Sequence, residues 1–258
     1  MNYIDAIIFG LVEGITEFLP ISSTGHLMLT AQLLGLGQTE FIKTFEIAIQ
    51  LGAILSVVVL YWRSLLVNLE IAKRVITAFI PTAVLGLLLY KIIKKYLLAS
   101  TTVVLWSLLL GGIFLVVFEL IRREKDETVD ELSSIPYASC VMIGLFQAIS
   151  MVPGVSRAAA TIVGGLILGI HRKTIVEFSF LLAVPTMLAA TCLDVYKNAG
   201  SFSSEQMSFL AIGFVVSFVA ALAAVKFLLN FIKYHTFIPF GLYRIGIVLF
   251  FLAILLYR

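Results

Sequence analysis

Six long apolar runs constrain this chain more than any other feature of its sequence. Each approaches the roughly 20 residues that an α-helix needs to cross the hydrocarbon core of a bilayer. A helix satisfies its own backbone hydrogen bonds, which a lipid environment requires. We therefore predict an all-α polytopic membrane protein. The runs are Thr44–Trp62, Val75–Leu89, Thr101–Leu120, Ile175–Leu193, Met207–Leu229 and Phe240–Leu256.

The composition indicates the same class. Of the 258 residues, 61% are hydrophobic and 13% are charged, and the mean hydropathy is +1.09. A soluble domain is nearer half apolar and a quarter charged. The formal net charge of +3 is spread between loops, so no nucleic-acid binding is expected. The N-terminal MNYIDAIIFG has an acid and no basic cluster, so we do not expect a cleavable signal peptide.

A repeat relates the two halves of the chain at an offset of 134 positions. GLVEGITEFLPIS at 10–22 aligns with GLFQAISMVPGVS at 144–156, and each lies in a short apolar stretch broken by Pro, Gly and Ser. Corresponding broken segments in two halves are typical of inverted repeats with a site at the membrane midplane. We predict an inverted-topology repeat in which each half is a re-entrant helical hairpin plus three transmembrane helices.

The predicted boundaries follow from these breaks and runs. They are a first repeat at 1–121, with a hairpin at 2–36 and spans at about 44–62, 75–93 and 101–121; a polar linker at 122–134; and a second repeat at 135–258, with a hairpin at 136–170 and spans at about 174–194, 207–230 and 239–257.

Loop charges predict the orientation. If both hairpins re-enter, the positive-inside rule assigns the more basic side to the cytoplasm and both termini to the outside. If each broken pair were one crossing plus a surface helix, the charges would divide about evenly. The basic side carries Arg63, Lys73, Arg74, Arg122, Arg123, Lys125, Arg172, Lys173, Lys226 and Lys233, and the other carries Lys43, Lys91, Lys94, Lys95, Lys197 and Arg258.

Two carboxylates precede the first break. Glu13 and Glu17 are four residues apart, so they share one face of a helix. An ionised carboxylate at the bilayer centre costs about 2.5–3.5 kcal/mol. A metal ion between the two, or a bound proton, would relieve that cost. Alternatively, one pairs with an arginine and the other faces a water crevice.

Hydroxyl groups and a histidine follow at once. Pro20 ends the first helix, and Ser22, Ser23 and Thr24 are good N-cap types for the helix that resumes. His26 comes one turn later. A single histidine is most often a satisfied buried group, but Ser, His and a carboxylate together form the arrangement that activates a hydroxyl.

The second break contains a glycine, a serine and an arginine. Gly154 frees the backbone, Ser156 suits an N-cap, and Arg157 lies in the first turn of the next helix. The helix dipole disfavours a cation there, so Arg157 does not serve helix stability. With the free N–H groups it forms an anion pocket suited to phosphate. An ion pair with Glu13 or Glu17 is the alternative, and phosphate chemistry and phosphorylated-lipid transport remain equally open.

At these residues the chain resembles the undecaprenyl-diphosphate phosphatases of the bacitracin-resistance (BacA/UppP) family. EGITEFLPISSTGH at 13–26 is similar to that family's first motif, and PGVSRAAAT at 153–161 to its second. The similarity continues through KTFEIAIQLGAILSVVVLYWR, EFSFLLAVPTM and YRIG. One departure is Ala158, where the family commonly has a serine.

The resemblance implies an enzyme that hydrolyses undecaprenyl diphosphate to undecaprenyl phosphate. That reaction recycles the lipid carrier for peptidoglycan synthesis and confers bacitracin resistance. The implied location is the bacterial plasma (inner) membrane, with the active site opening to the outer face, and the implied cofactor is Mg²⁺ or Ca²⁺. The alternative is a secondary transporter or flippase of a phosphorylated lipid. Expected partners are a polyprenyl diphosphate, membrane lipids and, in a homodimer, a second copy.

The resemblance also implies roles for particular residues. Glu13 and Glu17 would bind the metal or act as acid and base, and Ser23 or His26 would be nucleophile or proton carrier. We favour attack by Ser23 assisted by Glu17, with water or His26 as alternatives. Glu46 and Gln50 line the same cavity or serve packing. The expected substrate-binding residues are Arg157, Ser156, Ser22, Thr24, Thr161 and Gly154.

Overall fold

A computed structural model describes residues 1–37, 39–92, 100–122, 129–198 and 204–257 of the chain. In these ranges the regular structure is helical, apart from one isolated bridge between Val129 and Ile170. The α-helices are α1 Tyr3–Thr16, α2 Ser23–Leu33, α3 Glu40–Trp62, α4 Leu69–Ile92, α5 Thr101–Ile121, α6 Tyr137–Ile149, α7 Arg157–Ile167, α8 Arg172–Asn198, α9 Ser204–Phe231 and α10 Ile238–Tyr257.

Some predicted features lie outside the described residues. They are the end of the second predicted span at 93, positions 123–128 of the predicted linker, and the loop charges Lys94, Lys95, Arg123, Lys125 and Arg258.

Within the described ranges, five helices are long and apolar enough to cross a membrane, namely α3, α4, α5, α8 and α9. The side chains of α10 are described over Ile238–Ile254, which is a shorter apolar helix. Large apolar side chains such as Leu88 and Leu120 are more than two-thirds exposed on the outside of the bundle, which suits a protein whose solvent is lipid. The prediction of an all-helical, multi-span membrane protein is confirmed.

The four remaining helices form two short, broken pairs. Helices α1 and α2 have 14 and 11 residues, and α6 and α7 have 13 and 11. At about 1.5 Å per residue none is long enough to cross the hydrocarbon core alone. Residues 17–22, here named the first break, separate α1 from α2. Residues 150–156, the second break, separate α6 from α7.

Each broken pair packs against a helix of the opposite half of the chain. Helix α1 packs on α9, and α6 packs on α4. Glycines permit the close approach, because a Cβ on Gly14 would lie 2.4 Å from the carbonyl oxygen of Ser217 and one on Gly144 would lie 2.1 Å from that of Ala78. Small residues bring helix backbones together in this way in membrane proteins. Both breaks are thereby held inside the bundle.

Replacing Gly144 with alanine is expected to lower the free energy of unfolding by about 1–3 kcal/mol, the usual cost of overpacking. The added methyl group would push against backbone, which cannot move aside as a flexible side chain can. The measurement is the thermal midpoint of the detergent-solubilised protein. Gly246→Ala is the matched control, because a Cβ there meets nothing within 4 Å. Equal midpoints for the two variants would contradict the close packing of α6 on α4.

Candidate active site

The first break ends on a strained serine. Ser22 is the N-cap of α2, with φ 71° and ψ 93°, and its Oγ accepts a hydrogen bond from the N–H of Gly25. A residue other than glycine held in a sparsely populated backbone region costs about 1–3 kcal/mol and is typical of functional sites. The chain accepts that cost where the polypeptide must turn inside the bundle.

The second break repeats the same feature 134 positions later. Ser156 is the N-cap of α7, with φ 78° and ψ 118°, and its Oγ accepts from the N–H of Ala159 at 3.2 Å. Gly154 has φ 93°, and a Cβ on it would lie 2.6 Å from the carbonyl oxygen of Val104. Only glycine meets both conditions, so Gly154 shapes the turn.

Three predicted site residues come together between the breaks. The hydroxyl of Ser23 donates a short hydrogen bond to Oε2 of Glu17. Nη2 of Arg157 lies 3.2 Å from Oε1 of the same carboxylate. Both charged side chains are about nine-tenths buried. Glu17 therefore bridges a hydroxyl of the first break and a cation of the second, which is 140 residues away in sequence.

Arg157 is held by more than its carboxylate partner. Its Nη1 donates to the carbonyl oxygen of Ser179 at 2.8 Å, and its guanidinium lies 5.8 Å from the centre of the Phe18 ring. Its Nε is buried and has no hydrogen-bond partner among the described residues. The guanidinium is thus oriented while one N–H remains unused.

Thr161 supports this arginine from behind. It is fully buried, and its hydroxyl contacts the main-chain carbonyl of Arg157 at 3.0 Å and Oγ of Ser179 at 2.6 Å. It is not among the residues that line the cavity described next. The structure therefore groups Thr161 with Arg157 but not with the cavity wall.

A cavity of about 250 Å³ opens beside the Glu17–Arg157 pair. Seven of the predicted site residues line it, together with two other residues of the second break, Gln50 of α3 and two residues of α8. Its wall consists of Glu17, Ser22, Ser23, Thr24, Gln50, Ser150, Pro153, Gly154, Ser156, Arg157, Met187 and Ala190. The polar groups of both breaks face one space of a size suited to a diphosphate group.

Glu13 is not among the residues that line this cavity. Its side chain is fully buried, and neither carboxylate oxygen has a hydrogen-bond partner among the described residues. The charges of Glu17, Glu46 and Arg157 are close enough to act on it. An unpartnered carboxyl in the interior is costly unless a proton or a cation neutralises it. In the described part of the chain, no group of three or more His, Cys, Asp and Glu residues is arranged to hold a metal ion.

His26 contacts neither Glu17 nor Ser23 through a hydrogen bond in the described structure. Its Nδ1 lies 2.7 Å from the carbonyl oxygen of Ser22, and its Nε2 lies 2.9 Å from the hydroxyl of Tyr243. The two rings are parallel, with centres 5.5 Å apart. His26 is buried and does not line the cavity. Both of its nitrogen atoms are therefore engaged away from the Ser23–Glu17 pair.

Of the two polar residues of α3 considered for the site, only one lines the cavity, and Ala158, where the family commonly has a serine, lies away from it. Gln50 lines the cavity, whereas Glu46, one turn earlier, does not. Ala158 is fully buried in the apolar core and does not line the cavity either. The missing hydroxyl at this position therefore leaves the cavity wall unchanged.

Arg244 and Tyr243 of α10 are site neighbours that sequence reasoning did not assign. Arg244 is fully buried and donates hydrogen bonds to the carbonyl oxygens of Gly154 at 2.6 Å and Val155 at 3.1 Å. A charged residue in an apolar span is expensive and marks a functional position by default. That signal was available in the YRIG segment, but the partners were not, because they lie about 90 residues away.

Comparison with known proteins extends these observations. Residues 6–250 match the family described as bacitracin resistance protein BacA. The chain is 53% identical to the undecaprenyl-diphosphatase of Sulfurihydrogenibium sp. (strain YO3AOP1) over 95% of its length and 96% of the relative's. It is 52% identical to that of Aquifex aeolicus and 51% identical to that of Wolinella succinogenes, in both cases over 98% of each chain.

Proposed function

The chain belongs to the BacA family of bacitracin resistance proteins, and we propose how its two breaks perform the family's reaction. Relatives of about 50% identity over the full length are undecaprenyl-diphosphatases. The chain is accordingly a membrane hydrolase that converts undecaprenyl diphosphate to undecaprenyl phosphate and phosphate. This activity recycles the lipid carrier for cell-wall synthesis and accounts for bacitracin resistance.

The proposed reaction uses Ser23 as the nucleophile. Its Oγ attacks the terminal phosphorus while its proton passes to Glu17. The bond from that phosphorus to the bridging oxygen breaks, and undecaprenyl phosphate leaves with the electron pair and the proton from Glu17. Water then loses a proton to Glu17 and attacks the phosphoserine. Phosphate departs, and the serine oxygen recovers the proton from Glu17.

The observation that carries this assignment is the double contact of Glu17 with Ser23 and Arg157. A carboxylate hydrogen-bonded to a hydroxyl is the arrangement that activates a nucleophile. Arg157 supplies positive charge where charge develops on the transferring phosphoryl group. Ser22, Thr24, Gly154 and Ser156 complete the proposed substrate-binding wall, and Thr161 acts through Arg157.

A divalent cation, Mg²⁺ or Ca²⁺, fits the donor set near this pair. Both ions prefer oxygen ligands, and Mg²⁺ is commonly held by one or two carboxylates together with substrate phosphates. The two unpartnered oxygens of Glu13 and the adjacent Glu17 offer such ligands. We propose that these two residues hold the ion, which would neutralise diphosphate charge when bound.

The proposed architecture is an inverted-topology repeat, with the site opening to the outer face of the bacterial plasma membrane. Two features support the repeat. Helix α1 packs on α9 as α6 packs on α4, and strained N-cap serines recur at Ser22 and Ser156. The distribution of loop charges supports the outward orientation. Cysteine labelling of Gln32→Cys and His171→Cys in a Cys140→Ala, Cys192→Ala background tests it, because Cys192 is itself exposed. With a membrane-impermeant reagent and intact cells, only the Gln32 variant should react.

Removal of divalent cations is expected to lower phosphate release from undecaprenyl diphosphate at least about ten-fold, because charge on the diphosphate is then neutralised by Arg157 alone. The measurement is phosphate release by the purified protein in detergent, with and without EDTA, followed by re-addition of Mg²⁺ or Ca²⁺. Glu119→Gln is the control, since Glu119 pairs with Arg172 outside the site. Full activity in EDTA would refute the metal proposal. Saturable lipid binding without any release would favour the carrier alternative.

A further inference from the structure

The two breaks share a hydrogen-bonding arrangement that the proposed reaction does not use. At each break a main-chain carbonyl oxygen is captured by a side chain, and both captures lead to two adjacent residues of α10. The carbonyl of Ser22 accepts the first backbone hydrogen bond of α2, from the N–H of His26, and a second from the ring of His26, which contacts Tyr243. The carbonyls of Gly154 and Val155 are held by Arg244.

Arg244 holds two carbonyl oxygens of the second break, whereas His26 holds one of the first. Its guanidinium also donates to the carbonyl oxygens of Ser107 at 2.9 Å and Leu108 at 3.2 Å, so it ties the second break to α5 as well as to α10. A buried guanidinium needs partners for its donors, and four carbonyl oxygens accept from four of its five N–H groups. The second break therefore cannot move without releasing a buried cation.

Tyr243 acts on the first break indirectly, through its hydrogen bond with His26. A carbonyl oxygen only accepts, so Nδ1 of His26 carries the proton that it shares with Ser22. The hydroxyl of Tyr243 then donates to Nε2 at 2.9 Å, and the stacked rings hold the imidazole plane. This arrangement orients the histidine toward the backbone of the first break.

Holding these carbonyls sets the direction of particular N–H groups. In a trans peptide unit the C=O and N–H point in opposite directions. The carbonyl of Ser22 shares its unit with the N–H of Ser23, and the carbonyl of Val155 shares its unit with the N–H of Ser156. Both serines line the cavity, whereas His26 and Arg244 do not. The N–H groups of Ser23 and Ser156 therefore point opposite to the carbonyls that His26 and Arg244 hold, and they belong to two residues of the cavity wall.

We propose that Tyr243 and Arg244 are positioning residues that hold the N–H groups of Ser23 and Ser156 toward the diphosphate in the cavity. The strain at both breaks agrees with this role. Ser22 and Ser156 both have positive φ, and such conformations persist only when their surroundings over-determine them. The inference rests on the proposed phosphatase site, and it assigns His26 to positioning rather than to nucleophilic attack.

The test compares Tyr243→Phe, Arg244→Lys and Gly111→Ala in the full-length protein. Gly111→Ala should displace the guanidinium of Arg244 without changing that residue, because a Cβ at position 111 would lie 2.3 Å from Nη2. Tyr234→Phe is the matched control for Tyr243→Phe, because Tyr234 is an exposed tyrosine of the described structure. Arg172→Lys is the control for a buried arginine away from both breaks. For each, kcat, KM, the thermal midpoint and inhibition by orthovanadate and by phosphate are measured.

We expect the three test variants to lower kcat by about 10- to 100-fold, because misaiming an N–H donor is milder than the 10²- to 10³-fold cost of removing one. KM should change by less than about three-fold. The inhibition constant of orthovanadate, which adopts the five-coordinate geometry of phosphoryl transfer, should rise by the same factor as kcat falls. That of phosphate should stay at the wild-type value, and both controls should leave every constant unchanged.

A double variant of Tyr243 and His26 tests whether the two residues act together. Tyr243→Phe should add nothing to a His26→Asn variant if it acts through that histidine, so the two effects will not be additive. Wild-type kcat in Tyr243→Phe and Gly111→Ala, or a lowered thermal midpoint with an unchanged ratio of orthovanadate to phosphate inhibition, would overturn the proposal. If Arg244→Lys fails to fold, the other two variants decide. Absence of phosphate release from the folded wild type would instead refute the proposed function.

Discussion

Replacing Ser23 with alanine is expected to lower kcat/KM for undecaprenyl diphosphate by about 10⁴-fold or more, the scale seen when a covalent nucleophile is removed. The side chain is the one hydroxyl that donates to Glu17 in the described structure. Among the hydroxyl groups that the structure describes, only Ser23 has both this proton acceptor and the adjacent guanidinium. The measurement is phosphate release by the purified variant in detergent.

A trapping experiment separates the three candidate nucleophiles. Substrate labelled in its terminal phosphate is mixed with the enzyme and quenched in acid, which preserves phosphoserine and destroys phosphohistidine. We expect acid-stable label on wild type and none on Ser23→Ala. Ser22→Ala and Thr24→Ala are the matched controls and should still become labelled. Substantial activity in Ser23→Ala would instead indicate direct attack by water, or by His26 if a parallel quench in alkaline detergent, which preserves phosphohistidine, retains label on the protein.

Replacing Arg157 with alanine is expected to lower kcat/KM by about 10³-fold or more, as loss of a transition-state arginine does in phosphoryl transfer. Arg157→Lys should recover only part of this, because an ammonium group cannot reproduce a planar guanidinium that contacts Glu17 and the carbonyl of Ser179 together. The loss should appear mainly in kcat if Arg157 acts on the charge of the transition state.

The stability cost of this substitution needs its own control. Removing one partner of a buried ion pair leaves an uncompensated charge and costs about 3–5 kcal/mol. Arg172 forms a second buried pair, with Glu119, and donates to both carboxylate oxygens. Arg172→Ala should therefore lower the thermal midpoint comparably while leaving kcat near the wild-type value. Equal losses of activity in the two arginine variants would show that Arg157 serves folding and not chemistry.

Local chemistry explains why the helices and the breaks were predictable. A long apolar run has one stable outcome in lipid, because only a helix satisfies its backbone there. The first helix was expected to end at Pro20 but ends at Thr16, four residues earlier, whereas the predicted N-cap role of Ser22 for α2 is confirmed. The N-cap role of Ser156 follows in the same way. These features depend on neighbours within a few positions.

The sequence did not predict which of the two glutamates pairs with Arg157. Glu13 and Glu17 share a helix face, and the sequence left either one free to pair with Arg157. The tertiary structure brings the guanidinium of Arg157 to Glu17 and leaves Glu13 without a hydrogen-bond partner in the described part of the chain. A shift of one helical turn would have exchanged the two roles.

His26 gives the same lesson. Its proximity in sequence to Ser23 and Glu17 suggested a catalytic set, yet its described hydrogen bonds are to the backbone of Ser22 and to Tyr243, 217 residues away. Thr161, named with the substrate-binding residues, contacts Ser179 behind Arg157. Short spacing along the chain does not decide which way an imidazole or a hydroxyl points.

The sequence by itself determined that the chain is helical, lies in a membrane and concentrates polar groups at two matched interruptions, because those properties follow from hydrophobicity and local backbone chemistry. Only the tertiary structure decided that Glu17, Ser23 and Arg157 meet at one cavity and that Arg244 binds the carbonyls of the second break. Such contacts depend on how distant helices approach one another. Glycines such as Gly14 and Gly144 permit that approach, because a Cβ at either position would lie within 2.4 Å of a carbonyl oxygen on the facing helix, and the sequence does not specify which helix that is.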